Sequence, residues 1–573
     1  MNKKFKIGNK GGIVTITDKN YLASGGEGAI YVNGNKSYKI YHDPKKCVPL
    51  IKIKELALIN NPNVVTPEEV IYDISTGDPV GYTTQFVDNA EPLLKYFTKT
   101  FKTDNNISPT MIADLVKKMQ EITESIHSFD TLIVDYNELN VLVKFNTDLN
   151  PFYIDTDSYA TPSFKATAIM DSVRDRRVST LDKNGKLVYN PDIMSDWYSW
   201  AILSFYLYTN IHPFRGNHPD YKPKDKQKQF DDNISVFHKG VRVPPSVNNF
   251  NVIPSRHRAW FEDVFLNNNR SIPPYADSIT PQTVPNTIVL VKGTNKLDVI
   301  QLGTYGEDVI NVVQYMGVDY VITNKNIYSG NKLLIPLGYS KKTLVIPSSD
   351  GTMIMANLVG NTVTFKELNN NRVIDSVSTT DVFSRNGAFY VVTNGKLVEY
   401  TFTTLGNKTV PRINEVENIS NLSSVIYEGC VIQNLLGKYY FAIPFEKGAC
   451  ISKHIPQLDG YRIIDCKSDR WVTVVMAEKN GQYDRFVLVF KKDYSDFDVR
   501  KVEDVAYDTI NFTVMGNGLC ALLSSPTELE LFVSNQKVEV LNDPPFDSTM
   551  KLFNTPDGIF FINGNSVHQI KRK

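Results

Sequence analysis

Cysteine is scarce in this chain of 573 residues. Its five cysteines, Cys47, Cys430, Cys450, Cys466 and Cys520, form no CxxC pair and are spread thinly. That excludes a dense disulfide framework and a Cys-based zinc site, and it favours a reducing compartment. Net charge is absent too. The 62 basic residues balance the 62 acidic ones, so no overall field draws the chain to nucleic acid or to a membrane surface. No apolar run is long enough to span a bilayer, and the basic start Met1-Asn2-Lys3-Lys4-Phe5-Lys6 leads into no apolar signal-peptide core. The eight histidines show no metal-ligand spacing, and no Ser-His-Asp or Cys-His grouping is visible. The expectation is a cytoplasmic chain with no membrane or nucleic-acid partner, whose interactions come from local sites. Its length calls for two or more domains.

What is present changes character along the chain. Residues 12–41 read as short strands around a glycine-rich turn, and residues 50–60 as one short helix. Over 108–128 the pattern is cleaner. Ser108 can cap a helix, Pro109 suits its first position, and Ile112, Leu115, Val116, Met119, Ile122 and Ile126 recur at intervals of three and four. Residues 196–208, with Trp197, Trp200, Ile202, Phe205 and Leu207, predict a helix apolar on most sides, hence buried. Residues 276–285 carry Thr280, Pro281, Thr283 and Pro285 without helical periodicity and read as a linker. Beyond them short apolar runs alternate with Asn/Gly/Asp turns, as at 320–324, 389–395, 439–443, 486–490 and 560–564. Their spacing lies near the roughly 40–45 residues of a propeller blade. A closed ring of six or seven blades fits the length better than a sandwich or several small β domains.

Chemistry concentrates in the first half. Leu22-Ala23-Ser24-Gly25-Gly26-Glu27-Gly28 is a glycine-rich turn that lets backbone approach phosphates, and Tyr38-Lys39-Ile40-Tyr41 puts a lysine inside an apolar strand. Ile133-Val134-Asp135-Tyr136-Asn137-Glu138-Leu139-Asn140 sets an Asp five residues before an Asn. Phe152-Tyr153-Ile154-Asp155-Thr156-Asp157-Ser158 ends an apolar run in a second Asp. Phosphoryl transfer needs such groups: one carboxylate to orient an attacking hydroxyl, an amide oxygen and another carboxylate to hold Mg²⁺ against phosphates. The order and spacing resemble the protein-kinase family, and most closely its divergent bacterial and phage members, whose loops read D-x-N-x-x-N and I-D-x-D-S.

The resemblance covers the first half and implies a multidomain chain: an α+β two-lobed kinase-like domain over 1–275 (N-lobe about 1–88, C-lobe about 89–275), the linker at 276–285 and an all-β propeller over 286–573. It implies ATP and Mg²⁺ as cofactors, Asp135 and Lys39 as catalytic groups, and Asn140 and Asp155 as metal ligands. Gly25, Gly26, Gly28, Lys39, Glu55, Gln85 and Val87 would hold the nucleotide, with Glu55 the acid that pairs Lys39 and Gln85–Val87 the adenine hinge. Asp196 would brace the catalytic loop, and Arg270 would pair with Asp192. Departures from the family pattern are plain. Ile133 and Val134 replace its His and Arg, Asn137 replaces a lysine, Asp155-Thr156-Asp157 replaces D-F-G, and the family's helix acid would fall near Lys52 rather than Glu55. Arg174, Arg176 and Arg177, and the run Lys222, Lys224, Lys226 and Lys228, read as solvated basic loops. The leading expectation is a Ser/Thr-type protein kinase whose propeller recruits a protein substrate or partner. The alternatives are a pseudokinase or scaffold, in a virion or a signalling assembly, and a small-molecule kinase.

Overall fold

The computed structural model describes residues 2–8, 11–181, 183, 187–221, 225–244, 247–276, 296–405, 408–525, 528–542 and 550–572. The expected linker, apart from Ala276, lies outside them, as do Lys222 and Lys224. The chain forms two compact units, residues 1–287 with 480–482, and 288–479 with 483–573. No helix of the described residues is long and apolar enough to cross a membrane.

The first unit opens with a seven-stranded antiparallel sheet. Its strands are β1 (Asn2–Ile7), β2 (Ile13–Thr17), β3 (Tyr21–Ser24), β4 (Gly28–Asn33), β5 (Lys36–Tyr41), β6 (Val70–Asp73) and β7 (Pro79–Gln85), in spatial order β2-β1-β6-β7-β5-β4-β3. Side chains alternate faces along a strand. Tyr38 and Ile40 of β5 therefore join Phe5, Ile16, Tyr21 and Tyr31 in one core. Tyr41 turns to the other face, with Val48, Ile53, Val70 and Tyr82, and Lys39 shares that face. Helix α1 (Leu50–Leu56) supplies Ile53 to it. The helix stops short of the 50–60 expected. Its last turn tightens, with Leu58 N–H donating to Glu55 and Ile59 N–H to Leu56, ahead of Pro62, whose ring disfavours helical backbone at Asn61.

A small sheet of β8 (Ala90–Pro92), β9 (Val141–Phe145) and β10 (Leu149–Tyr153) follows, ordered β10-β9-β8. The helices are α2 (Lys99–Asp104), α3 (Pro109–His127), α4 (Ile193–Thr209), α5 (Lys226–Asp231) and α6 (Ser255–Phe265). Ser108 caps α3 by accepting from Met111 N–H, and the six apolar residues read from the sequence are buried. Asp192 caps α4 in a reciprocal box with Ser195, so the helix starts at Ile193, three residues before the expected start, and nearly every α4 side chain is buried.

The second unit is all β. Among the described residues it comprises seven four-stranded antiparallel sheets. Six are consecutive meanders, spanning 309–336, 342–378, 382–418, 424–454, 462–502 and 512–542. The seventh joins the first strand, Leu297–Thr304, to the last, Ser566–Arg572, which continues into Gly558–Asn563 and Lys551–Thr555. The five apolar runs all fall on strands. Neighbouring sheets pack through shared apolar cores. The sheets at 462–502 and 512–542 are joined by a buried ion pair, Arg485 to Glu530 at 3.1 Å. Each sheet thus contacts the next, and the last returns to the first.

Candidate active site

The loop after α3 is built around a strained backbone turn. Asp135 N–H donates to Ile133 O at 2.8 Å, and Val134 between them has φ of 61°. An i to i+2 bond about a positive φ is a rare γ-turn, and a β-branched residue there costs on the order of 1–3 kcal/mol. Asp196 of α4 holds it. Its Oδ2 accepts from Ile133 N–H at 2.7 Å and its Oδ1 from Val134 N–H at 2.9 Å. His127, closing α3, lies 3.0 Å from the same carboxylate. The bracing role the sequence suggests for Asp196 is thus present as geometry.

Asp135 sits at the centre of this loop. Asn140 Nδ2 donates to Asp135 Oδ2 at 3.1 Å and to its carbonyl at 3.0 Å. Oδ1 is buried with no hydrogen-bond partner among the described residues, and burial raises the Asp135 pKa above the ordinary carboxylate range. Asn137 is buried and turned onto its own loop, accepting from Leu139 N–H at 2.9 Å. It shapes the turn, as Asx residues do. Asn140 O accepts from Ile154 N–H at 2.9 Å, which sets Asn140 beside the residue preceding Asp155.

Asp155 has φ of 58° and faces the sheet. Lys39 Nζ lies 2.7 Å from Asp155 Oδ1, 2.8 Å from Asp157 Oδ2 and 3.5 Å from Glu27 Oε2. The lysine is buried, yet the two aspartates hold its pKa above the ordinary value. Of the coupled pair, Asp157 stays below its usual range: burial pushes it up, but Lys39 and the neighbouring phenols outweigh that. Asp155 is pushed up, first by burial and then by the Asp157 charge, against the pull of Lys39. Its side chain retains 40% exposure, so solvent moderates the effect.

In the glycine turn, Gly25 N–H donates to Gly28 O at 2.9 Å. A Cβ on Gly25 or Gly26 would meet open space, whereas one on Gly28 would lie 2.6 Å from Ile40 O. Gly28 thus permits the close pairing of β4 with β5, and Gly25 and Gly26 leave the turn open. Gln85 ends β7 and is exposed; the adjoining Phe86 N–H bonds to Asn35 O, with Val87 next in the chain.

Glu55 does not join the group. Its carboxyl faces Thr161 and Ser163, whose hydrogen bonds hold its pKa down, while Lys39 takes Asp155, Asp157 and Glu27 instead. The residue one turn earlier, Lys52, is buried and donates to Asp157 O at 2.6 Å. Nor does Arg270 pair with Asp192. It forms a two-pronged bond with buried Asp175, at 3.0 and 2.9 Å, and Asp192 caps α4 and meets Arg177. Both acids precede α4, and only Asp175 is shielded enough to make a buried guanidinium pair. The basic loops are not free either. Arg174 pairs with Asp171 and Arg176 with Asp231, and Lys226 is buried on Gly216 O at 2.6 Å. Asp157, Lys52 and Asp175 are the residues sequence reasoning missed. Asp157 carried a visible signal, the repeated acid of I-D-x-D-S.

Asp155 and Asn140 are the residues that could hold a magnesium ion. That ion takes one or two protein oxygens and completes its shell with phosphate and water. Asp155 is half-exposed, and Asn140 uses its amide N–H₂ on Asp135, leaving its oxygen. Among the described residues no three His, Cys, Asp or Glu side chains gather into a self-sufficient metal site.

No family model matches the chain, and no curated protein matches it. Among solved structures it is similar to the autoinhibited serine kinase domain of the giant muscle protein titin, at 13% identity and a TM-score of 0.32, over 46% of this chain and 74% of that one.

Proposed function

We propose that the first unit is a kinase-like, ATP- and Mg²⁺-dependent phosphotransferase acting on protein Ser or Thr hydroxyls. One observation carries this reading: Lys39 on β5 bonds to Asp155 after β10, and Ile154 beside it bonds to Asn140 of the Asp135–Asn140 loop after α3. In this arrangement Lys39 would pair nucleotide phosphates, and the open Gly25-Gly26 turn would let backbone approach them. Asn140 and Asp155 would hold Mg²⁺, which when bound neutralises phosphate charge. Asp135, with its unpartnered Oδ1 and raised pKa, would accept the hydroxyl proton of the substrate.

The second unit, with seven sheets and its first strand paired to its last, supports a seven-bladed propeller, closed by shared strands. Its role in this reading is to recruit the substrate or a partner protein. A pseudokinase or scaffold is the second reading, favoured by the three carboxylates around Lys39 and by the lack of a helix acid beside it.

Transfer from γ-labelled ATP with Mg²⁺ to a peptide panel, wild type beside Asp155→Ala, separates the two. Label that disappears in the variant, with its thermal unfolding unchanged, is the expected result. Nucleotide binding without transfer on any acceptor would instead favour the scaffold.

A further inference from the structure

In a kinase-like site an acid on the first helix fixes the strand lysine. Here the helix presents a cation in its place. Lys52 is 2% exposed, and Glu55, the acid of α1, faces Thr161 and Ser163. Lys39 nevertheless has its counter-charge, supplied by the loop after β10. Asp157 is buried, and its Oδ2 lies 2.8 Å from Lys39 Nζ and 2.5 Å from the Tyr41 hydroxyl. The Tyr82 phenol bonds to the same carboxylate. From the other side, Lys52 Nζ donates to the Asp157 carbonyl at 2.6 Å. One residue is thus gripped twice: its side chain by the strand lysine, its backbone by the helix lysine. The usual polarity is inverted, with the acid on the loop and the base on the helix.

We propose that Asp157 is the positioning residue for Lys39, and that Lys52 locks it in place, coupling α1 to the nucleotide site through a backbone carbonyl. The catalytic consequence rests on the phosphotransferase reading; the coupling itself does not. A single charged hydrogen bond to a carbonyl is strong, and a lysine buried this deeply needs one to stay. Moving α1 would therefore withdraw Lys52, loosen the 155–158 loop and release Lys39.

Lys39 protection reads this without turnover, because modification of a buried amine follows local opening. The full chain is labelled without nucleotide by an N-hydroxysuccinimide acetate, and each lysine is quantified by peptide mass spectrometry. Lys39 is expected to label at least about tenfold faster in Asp157→Asn and in Lys52→Met than in wild type, and at the wild-type rate in Glu55→Gln. Equal protection of Lys39 in both variants, or exposure by Glu55→Gln, overturns the proposal. Either of the first two variants decides if the other does not fold. Phosphate transfer is then measured separately. A wild type that transfers no phosphate while the labelling pattern holds defeats the phosphotransferase reading and leaves the coupling intact. Transfer by Asp157→Asn with wild-type kcat and KM for ATP defeats the positioning role alone.

Discussion

A Cβ on Gly28 would sit 2.6 Å from Ile40 O, and one on Gly26 would meet nothing. The two glycines of one turn thus answer to different demands, fold at Gly28 and access at Gly26. Gly28→Ala forces β4 off β5 and is expected to destabilise the first unit by about 2 kcal/mol. Gly26→Ala should stay within about 0.5 kcal/mol of wild type, so any change in nucleotide binding there reports on the ligand. Urea unfolding of both variants checks this; equal losses would remove the distinction. A second residue-scale case is Asp196. It holds the positive-φ turn at Val134 through two charged hydrogen bonds, worth roughly 1.5–3 kcal/mol each. Asp196→Ala should therefore cost about 3 kcal/mol and, on the proposed function, abolish phosphate transfer; an unchanged denaturation midpoint would contradict it. At this scale the sequence was most legible in which residues come together: Lys39 meets Asp155, and Asn140 meets Asp135. It was least legible where charge had been relocated. Nothing local marks Lys52 as buried, since lysines are seldom so, and Glu55 was chosen only for being the acid in its helix.

Helix α4 shows what an element needs beyond an apolar sequence. Its N-terminus is closed by Asp192 and Ser195. Its C-terminal carbonyls meet Lys102 of α2, whose Nζ donates to Leu207 O and to Asn210 Oδ1. A cation at a helix C-terminus is favourable, yet burial pushes the Lys102 pKa down to about 7. The unfolded chain holds this proton to about pH 10.4. Between those values the unfolded state binds more protons than the folded one, so stability rises with pH across that window. Lys102→Met should remove that slope while keeping the packed length. Denaturation midpoints at pH 7 and pH 9, followed by fluorescence of Trp197, Trp200 and Trp260, test it; parallel slopes in both proteins would exclude Lys102 as the cause. The helix core was readable from its periodicity, because an all-apolar stretch has one favourable location. The lysine was not, since Lys102 and its partner Asn210 lie 108 residues apart.

Across the whole molecule, long-range pairing is what local sequence conveys least. Alternating apolar runs announced strands, and their spacing suggested blades, but the number of sheets turns on Leu297–Thr304 pairing with Ser566–Arg572, a contact between the unit's two ends. Within the second unit, buried charges tie sheet to sheet as apolar cores do elsewhere. Glu367 takes Arg372 from its own sheet and Thr409 from the next; those hydrogen bonds, Arg372 foremost, hold its pKa at about 2. A carboxylate depressed in the folded state stabilises fully above its ordinary pKa of about 4.3, and that contribution is lost as pH falls from there to about 2. Glu367→Gln should accordingly unfold the second unit at neutral pH more readily than wild type and narrow the gap below pH 3. The closing strand makes the sharper case. Among the described residues it is the strand that hydrogen-bonds Leu297–Thr304 into the seventh sheet. Ending the chain after Asn563 would leave Leu297–Thr304 unpaired and Gly558–Asn563 as an open edge, and open edges invite aggregation. Scanning calorimetry of that truncation is expected to lose the transition of the second unit, with light scattering rising in its place. Adding a synthetic peptide of residues 564–573 in excess should restore the transition, because antiparallel pairing asks only for the strand and not for its covalent join. A truncated chain that melts as wild type does would show that the pairing of the unit's first and last strands contributes nothing to its stability.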